Sequence, residues 1–419
     1  MTEQRNIVVV GGGFAGLPVT HYVMKHIIPA LKAKHGNAKY HVYNLNPSSD
    51  FYFRIASPRV GTSTTLMPAE KIFGSLTEGY KNYSADEFTL IQGFATGLDT
   101  SARKLSYQRS GHQPEELSYH ALVVAAGSRT HHPAFSMPTT KEATVDAIKT
   151  MNTKVAAAKD IVIVGGGPTS VEVAGEMAEF RNGKPGWFSP APRKVNITLV
   201  TAVNQLLPAL SPKIAKIADK KLKDLGVDVV YQTRVTNVSE SQDGRTKVLL
   251  TKGKELEADL YIPAYGVLPN STWLPSSLLN DTNYLVTNPQ TLRVDAAGPR
   301  VYATGDISSA SRNIGMDIMD MTPVVMVNLK RDLLSYNPAA PTAPAPGKDR
   351  IFTPKANLSM VVPIGTGGGV AGIMGWSAPS WLVWLAKGRD YLVGMGLKPA
   401  LVGDSVKKDY KWKVGEAIV

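Results

Sequence analysis

The 419-residue chain contains no cysteine. It therefore cannot form a disulphide framework, a thiolate metal site or a dithiol redox centre. If such a chain carries electrons, it must pass them directly between bound cofactors and an external acceptor. Long apolar runs are also missing. The most apolar late stretch, residues 376–386, is about half of the ~20 residues that a membrane-spanning helix needs.

Targeting signals are absent from the first residues. We expect neither a signal peptide nor a transit peptide, because the first predicted strand begins near Asn6. Gly does not follow Met1, so the usual myristoylation signal is missing too. These absences predict a cytoplasmic protein that is soluble or bound peripherally to a membrane.

The charge balance is strongly basic. The chain has 46 Lys and Arg against 34 Asp and Glu, a net charge of +12. Such a charge attracts anionic membranes, nucleic acid or phosphorylated cofactors. Basic residues alternate with aromatic ones mainly at residues 407–413, and this cluster is not a DNA-binding motif. Nucleic acid is therefore not favoured as a partner.

Two segments of the chain run from an apolar strand into a glycine-rich turn. They span residues 7–16 and 161–170. Each begins with four β-branched residues and opens onto an apolar helical stretch, the context in which Gly-x-Gly-x-x-Gly is a dinucleotide fingerprint. Two such segments predict two dinucleotides bound to one chain.

Each small residue in such a turn has its own role. The first glycine permits a tight bend, the second lets the backbone approach a pyrophosphate, and the third allows close helix packing. The phosphate then lies at the helix N-terminus. The first turn supplies Gly11, Gly13 and Gly16, and the second supplies Gly165, Gly167 and Ser170. Ser170 replaces the third glycine because a small side chain still fits there.

The second strand of each unit ends where such folds hold the adenosine ribose, usually on an acid. Here Asn46 follows the first of these strands and Thr201 follows the second. The Asn46 amide can bond both ribose hydroxyls, and the alternative is that Asn46 and Pro47 only form a turn. Since neither an acid nor a well-placed Arg follows the second of these strands, the choice between NADH and NADPH stays open.

Two further segments bear on the site. His131 and His132 are adjacent, but no Cys, acid or third His is spaced for ligation, so they predict a loop and no metal site. Residues 301–306 predict a short strand that closes on Gly-Asp. The following segment is predicted to become helical after Thr322, with Thr322 as N-cap and Pro323 at the first helical position.

Several motifs carry a resemblance to known proteins. In order along the chain, four elements resemble the FAD/NAD(P)-dependent pyridine nucleotide oxidoreductase superfamily: residues 11–16, 125–128, 165–172 and 304–306. Four others are similar to the apoptosis-inducing-factor-like, ferroptosis-suppressor-type NAD(P)H:quinone oxidoreductases: residues 44–47, 56–59, 264–270 and 384–390. Type II NADH dehydrogenases are related but carry glutamines on the helix beside the quinone. Residues 321–328 carry none, which puts a quinone site of that type in question.

The resemblance implies which residues hold each cofactor. The residues implied for FAD are Gly11, Gly13, Phe14, Ala15, Gly16, Asn46, Arg59, Ala95, Gly127, Asp306 and Thr322. The residues implied for NADH or NADPH are Gly165, Gly167, Pro168, Thr169, Ser170, Thr201 and Gly266. Ala95 would meet the adenine through its backbone, and Asp306 would bond the ribityl chain or pyrophosphate. A helix N-terminus at Thr322 would stabilise an anionic reduced flavin.

Two charged residues are candidates for the catalytic site. The resemblance implies that Glu172, early on the second nucleotide helix, faces the nicotinamide and the flavin. It also implies that Arg59 lies near the isoalloxazine. The alternatives are that Glu172 only complements the helix dipole and that Arg59 forms a surface salt bridge.

The last part of the chain follows a Pro/Ala linker at residues 337–346. Residues 360–364 and 370–374 flank a glycine-rich turn and predict a hairpin. Residues 379–393 predict a mostly apolar helix that bears Trp381, Trp384, Lys387 and Arg389. These side chains suit a peripheral membrane contact, through residues 379–413, or a lid packed over the flavin. We favour the lid.

We therefore expect an α/β fold with two Rossmann-like dinucleotide-binding domains and a small C-terminal α+β region. The boundaries are residues 1–130 and 286–347 for a discontinuous FAD-binding domain, 131–285 for the NAD(P)H-binding domain and 348–419 for the C-terminal region. The expected enzyme is an FAD-dependent oxidoreductase without a redox-active disulphide, which takes a hydride from NADH or NADPH and reduces a quinone, oxygen or another small acceptor. Two alternatives remain: a biosynthetic flavin oxidase or reductase acting on an organic substrate, and a redox-sensing binder of membrane or nucleic acid. The oligomeric state stays open.

Overall fold

A computed structural model of the chain describes residues 4–36 and 38–410. Its strands are β1 (Gln4–Val10), β2 (Lys39–Asn46), β3 (Asp50–Tyr52), β4 (Phe73–Ser75), β5 (Phe88–Gln92), β6 (Phe94–Asp99), β7 (Lys104–Gln108), β8 (Glu115–Ser118), β9 (Ala121–Val124), β10 (Ser128–Arg129), β11 (Asp160–Val164), β12 (Asn196–Val200), β13 (Val227–Val230), β14 (Val235–Glu240), β15 (Thr246–Leu250), β16 (Glu255–Ala258), β17 (Leu260–Pro263), β18 (Leu268–Pro269), β19 (Val301–Ala303), β20 (Met360–Pro363), β21 (Gly369–Ile373) and β22 (Trp376–Ala378). Its α-helices are α1 (Gly16–Tyr22), α2 (Ile28–Lys34), α3 (Ser57–Thr62), α4 (Leu76–Tyr80), α5 (Lys141–Ala157), α6 (Pro168–Asn182), α7 (Pro212–Asp224), α8 (Gly315–Leu334), α9 (Ser380–Val383) and α10 (Val393–Val402).

The first glycine-rich turn belongs to a five-stranded parallel sheet. Its strand order is β19-β9-β1-β2-β5, and every neighbouring pair is parallel. The central strand β1 is covered on both faces, since Ile7, Val8 and Val9 are fully buried. Burial on both faces explains why its sequence is an unbroken apolar run instead of an alternating one. Because β19 completes this sheet, residues 301–303 return to the unit formed by the first third of the chain.

The second glycine-rich turn belongs to a four-stranded parallel sheet with the order β13-β12-β11-β17. Antiparallel three-stranded sheets accompany both units, β6-β7-β8 the first and β14-β15-β16 the second. Parallel strands joined through helices confirm the predicted α/β fold with two Rossmann-like units. The residue boundaries of the domains stay a prediction.

Helix α8 differs from the expectation. It begins at Gly315 with Ile314 as N-cap, and Pro323 lies inside it. The prediction that Thr322 caps the helix is wrong, and the Thr322 hydroxyl instead donates a 2.6 Å hydrogen bond to the Ile318 carbonyl. The helix begins before the Thr322-Pro323 pair because it buries a long apolar stripe. Packing of such an apolar face outweighs local sequence preferences.

The C-terminal region contains the predicted hairpin, with β20 and β21 antiparallel and Met360 opposite Gly372. The single helix predicted over residues 379–393 is wrong. Helix α9 widens into a π-helical segment over Trp384–Gly388, and the chain then breaks at Tyr391 and Leu392, both with positive φ, before α10. Residues 411–413 of the basic cluster lie outside the described residues. Among the described helices, none has both the length and the apolar character needed to span a bilayer.

Candidate functional site

The first glycine-rich turn has room for a ligand at one position only. Gly11 has a φ of +113°, and a Cβ there would lie 2.3 Å from the Ala125 carbonyl oxygen. A Cβ on Gly16 would lie 1.9 Å from the Gly11 carbonyl oxygen. A Cβ on Gly13, in contrast, would meet no protein atom within 4 Å. The outer two glycines thus close the turn, and the middle one leaves an open cradle of the kind a pyrophosphate needs.

The second turn repeats this arrangement. Gly165 has a φ of +142°, and a Cβ there would lie 2.3 Å from the Ala264 carbonyl oxygen, whereas a Cβ on Gly167 would meet nothing within 4 Å. Ser170 is fully buried, and its hydroxyl donates to the Gly167 carbonyl at 2.8 Å. The residues of both turns therefore fit a dinucleotide pyrophosphate beside the middle glycine.

The residues at the ends of β2 and β12 brace the turns. The Asn46 Oδ1 accepts a 2.9 Å hydrogen bond from the Gly12 N–H, and its Nδ2 donates to the Ser48 carbonyl at 2.7 Å. Thr201 is buried beside the other turn, and its Oγ1 would lie 2.4 Å from a Cβ on Gly166. Contact between Asn46 and a ribose stays a prediction, because the structure shows its amide engaged within the turn.

Phe14, which follows Gly13, and Pro168, which follows Gly167, both line a single large cavity of about 810 Å³. Seven of the residues predicted from the sequence line it: Phe14, Pro168, Thr169, Glu172, Gly266, Asp306 and Thr322. Asp306 is held in place by the Ser128 hydroxyl, which donates to its carboxylate at 2.7 Å, and by Arg54 at 3.6 Å. The structure thus gathers side chains from both dinucleotide units around one space.

The other predicted residues, the glycines of both turns among them, do not belong to the described walls of this cavity. Ala15 is buried within the first turn, against Gly305. Ala95 is in β6, beside a bulge in its pairing with β7. Gly127 follows β9 with a φ of +65° and open space around its Cβ position, and its carbonyl accepts from the Asn270 N–H at 3.1 Å. Their contacts with a cofactor stay predictions.

Glu172 is buried in the cavity wall and pairs with Lys387. Burial raises the pKa of the Glu172 carboxyl, and the Lys387 ammonium opposes that shift. Lys387 also lines the cavity, although it lies 215 residues further along the chain. The C-terminal region thereby places a cation beside the carboxylate predicted to be catalytic.

Arg59 is buried and ion-paired, and its position near the isoalloxazine stays a prediction. It is absent from the described cavity walls and forms a buried bidentate ion pair with Glu176, through Nε at 3.0 Å and Nη2 at 2.7 Å. Tyr391 completes this cluster, since its hydroxyl donates to Glu176 at 3.1 Å and its ring lies 4.8 Å from the Arg59 guanidinium. The structure therefore provides no cavity contact for Arg59, and its ion pair is buried instead of at the surface.

Glu176 and Tyr391 are therefore residues that the motifs missed. One signal was available in the sequence: Glu172 and Glu176 are the only charged residues between positions 168 and 178. Two carboxylates four residues apart lie on one face of a helix, and in an apolar helix each needs a buried cation.

The C-terminal region is also attached to α1 and to the π-helical segment Val23–Ile27 that follows it. His21 is fully buried, with Nδ1 2.6 Å from the Tyr83 hydroxyl and Nε2 2.9 Å from the Leu401 carbonyl. Lys25 donates to the carbonyls of Val402 and Gly403. Burial lowers the pKa of His21 to about 4, so its imidazole is neutral at pH 7. The helices after both glycine-rich turns thus hold the same C-terminal region over the cavity.

One wall of the cavity is rich in methionine. Met316, Met319 and Met326 come from α8 and Met360 from β20, and Met319 is exposed at the rim. Methionine side chains are flexible and polarizable and adapt to apolar ligands of varied shape. This wall can therefore hold an apolar organic molecule.

Comparison with known proteins supplies the family. Residues 5–325 match the pyridine nucleotide-disulphide oxidoreductases. Oxidoreductase phnG of Penicillium herquei is 38% identical over 400 residues, which cover 93% of this chain and 94% of that protein. Ferroptosis suppressor protein 1 of Mus musculus is 24% identical over 407 residues, covering 94% and 95%. The predicted resemblance is confirmed.

A solved structure gives the same fold. The sulfide:quinone oxidoreductase of Aquifex aeolicus superposes with a TM-score of 0.68 at 14% identity, covering 95% of this chain and 92% of that one. The likeness extends over the C-terminal region as well as over both dinucleotide units.

Proposed function

This chain belongs to the pyridine nucleotide-disulphide oxidoreductase family, and on that premise we propose that it is an FAD-dependent NAD(P)H oxidoreductase. FAD binds at the first glycine-rich turn and NADH or NADPH at the second. The electrons go to a quinone, oxygen or another small acceptor. Since the chain has no cysteine, this reaction proceeds without the thiol pair for which the family is named.

One observation carries the proposal: each turn is open at its middle glycine, and the residues that follow these glycines line one cavity whose walls come from both dinucleotide units. FAD supplies the hydride-accepting and electron-donating chemistry when it is bound. The chain supplies orientation. Gly266, with a φ of +55° and no atom near its Cβ position, leaves room for the nicotinamide nucleotide.

The C-terminal region supplies a cover and charge. Lys387 neutralises the buried Glu172 carboxylate, so the cavity wall carries an ion pair instead of an isolated charge. The contacts of Tyr391 with Glu176 and of Leu401 with His21 keep this region closed over the cavity. A closed cover excludes water and limits side reactions of a reduced cofactor.

A second candidate function rests on the methionine-rich wall. It favours an organic substrate that is larger and more apolar than oxygen, as for a biosynthetic flavin oxidase or reductase. Rapid NADH-dependent bleaching of the flavin without any organic substrate supports the first function. Bleaching that requires an organic substrate supports the second.

Two matched variants test the assignment of the cofactors. Neither Gly13 nor Gly167 has a positive φ, and each has free space around its Cβ position, so valine is compatible with the fold at both. We expect Gly13→Val to lose FAD because the side chain takes the place of the pyrophosphate. We expect Gly167→Val to keep FAD but to be reduced by NADH on the order of 100-fold more slowly.

The measurements are flavin absorbance per chain and anaerobic stopped-flow reduction by NADH and NADPH. Gly367→Val is the control, since it also has open space around its Cβ position and no positive φ, and lies in the C-terminal turn. Full flavin content in Gly13→Val contradicts the first assignment. Loss of flavin in Gly167→Val with hydride transfer retained after reconstitution reverses the two sites.

A further inference from the structure

Two stretches of the chain contain no acidic residue. Residues 180–218 hold six Lys or Arg and no Asp or Glu, and residues 351–389 hold three Lys or Arg and no Asp or Glu. In a chain with 34 acids among 419 residues, both stretches depart from the mixed charge of an ordinary protein surface. Some of these cations pair with acids from elsewhere in the chain, as Lys184 does with Glu179, Arg193 with Asp228, Lys355 with Asp320 and Lys387 with Glu172.

The fold brings these two stretches together. Helix α7 packs on β21, and a Cβ on Gly372 would lie 2.8 Å from the Leu210 side chain and 3.3 Å from that of Ile214. At the end of α6, Glu179 accepts a 2.9 Å hydrogen bond from the Thr366 N–H, and the loop over residues 183–195 starts there. The Ser380 hydroxyl accepts from the Gly369 N–H in the same glycine-rich turn. Loop, hairpin and α9 therefore share one edge of the molecule.

This edge exposes large apolar side chains. Trp187 and Phe188, in the loop after α6, are 95% and 98% exposed. Trp376 is the first residue of β22, opposite Ile373 of β21, and is 81% exposed, and Trp381 on α9 is 65% exposed. Lys213 and Lys216 are exposed on α7. Apolar groups of this size cost free energy in water, and a cluster of them marks a surface that is covered in use.

We propose that this basic aromatic face docks on the surface of an anionic lipid bilayer. We define the face by Trp187, Phe188, Lys213, Lys216, Trp376 and Trp381. Aromatic side chains settle at the level of lipid headgroups, and lysines near the surface are attracted by anionic lipids. The exposed aromatic side chains insert at the level of the headgroups, and the lysines complement the negative charge of the lipids.

The charge also decides against a second copy of the chain as occupant. In a two-fold dimer the same face meets itself, so Lys213 and Lys216 of each copy would bring like charges together. An anionic bilayer offers the opposite charge and an apolar interior. The chain thus binds to the membrane surface through a loop, a hairpin and a short helix. The hairpin and the helix belong to the same C-terminal region as the cavity cover.

The test is sedimentation of the FAD-loaded full chain with vesicles of phosphatidylcholine alone or with about 30% phosphatidylglycerol. We expect binding to the anionic vesicles that high salt weakens. The double variants Trp187→Ser/Phe188→Ser and Lys213→Glu/Lys216→Glu should each lower the partition coefficient by about tenfold. Two controls leave the face intact: Val238→Ser/Leu249→Ser, at exposed apolar positions of β14 and β15, and Lys149→Glu/Lys154→Glu on α5. Flavin content checks that each variant is folded.

Three outcomes would overturn the proposal. The first is that the wild-type chain does not sediment with anionic vesicles at low salt. The second is that it binds both kinds of vesicle equally, or that the control variants lose as much binding as the variants of the face. The third is a dimer, measured by light scattering, that both face variants dissociate, since the face would then be covered by a second copy.

Discussion

The two glycine-rich turns of this protein are alike in the first two glycines and differ in the third position. In both, the first glycine has a positive φ and lies against a carbonyl of the neighbouring strand, and the second is open to a ligand. After the first turn, the helix comes so close that Gly16 has no room for a side chain. After the second, Ser170 fits and hydrogen-bonds the turn. The open middle position is thus the same in both turns, whereas the distance between the turn and the following helix differs.

The two helices also hold the C-terminal region by different means. The segment after the first turn uses a neutral histidine and backbone carbonyls, through His21 and Lys25. Helix α6 uses buried carboxylates, through Glu172 and Glu176. The first attachment requires that the His21 imidazole stay neutral. The second requires that the Glu172 and Glu176 carboxylates stay paired with cations.

Exchanging the third residues of the turns tests the first difference and should give the largest effect. We expect Gly16→Ser to cost about 5 kcal/mol or to prevent folding, because its Cβ would overlap the Gly11 carbonyl oxygen. We expect Ser170→Gly to cost about 1 to 2 kcal/mol, for one hydrogen bond and a flexible helical residue. Urea unfolding with flavin content measures both. Equal losses would show that the helices are equally close to their turns.

Removing one cation tests the buried charges of α6. Arg59→Met leaves the Glu176 carboxylate buried without its partner, and we expect a loss of about 3 to 5 kcal/mol of unfolding free energy. Arg193→Met removes the same charge from a half-exposed bidentate pair with Asp228, and should cost at most about 1 kcal/mol. Chemical denaturation at pH 7 compares them. Similar losses would mean that Glu176 relaxes toward solvent.

Acid titration tests the neutral attachment. The pKa of His21 is about 4 in the folded chain against 6.5 for the free side chain, so the unfolded state binds the proton more readily. The stability contributed by neutral His21 is present above pH 6.5 and is lost as the pH falls toward 4, by about 3 kcal/mol. Its surroundings are Tyr83, Lys25 and Asp404. His21→Gln should flatten that part of the curve of unfolding free energy against pH.

His120 and His132 also have lowered pKa values because of burial, so part of the pH dependence should remain in that variant. His120→Gln is the matched comparison, because it removes a half-buried histidine whose contacts lie outside the C-terminal region. A curve identical to that of the wild type in His21→Gln would mean that His21 is protonated without disturbing the fold.

The smallest expected effect comes from neutralising the catalytic candidate. Glu172→Gln keeps the shape and leaves the Lys387 charge unmatched, so we expect a several-fold change in flavin reduction or reoxidation. Stopped-flow measurement of the two half-reactions shows which partner the carboxylate faces. Glu179→Gln, on the same helix but facing Thr366, is the control. Wild-type rates in both half-reactions would mean that Glu172 only complements the helix dipole.

Much of this fold is predictable from the sequence because its signals are local. The β-branched runs before each turn, the glycine spacing and the hairpin over residues 360–374 depend on neighbouring residues, and all are found in the structure. The helix start at Thr322 was wrong because a buried stripe outweighs a Thr-Pro cap. The single helix over residues 379–393 was wrong because Tyr391 turns inward to Glu176.

The arrangement of charges in the site could not be predicted in the same way. Arg59 and Glu176 are 117 residues apart, and Lys387 and Glu172 are 215 apart. No local pattern specifies which buried carboxylate receives which cation. Glu172, which the motifs single out, lies in the cavity wall, and its contact with the nicotinamide and the flavin stays a prediction. Only the packed structure assigns Arg59 to Glu176 and Lys387 to Glu172.

The attachment of residues 401–403 to His21 and Lys25 has a consequence for the order of assembly. These contacts join positions about 380 residues apart, so they form only after residues 401–403 have left the ribosome. During synthesis the N-terminal units fold first, and their glycine cradles are complete before the cover exists. The cavity of a nascent chain is therefore open until residues 401–403 reach His21 and Lys25.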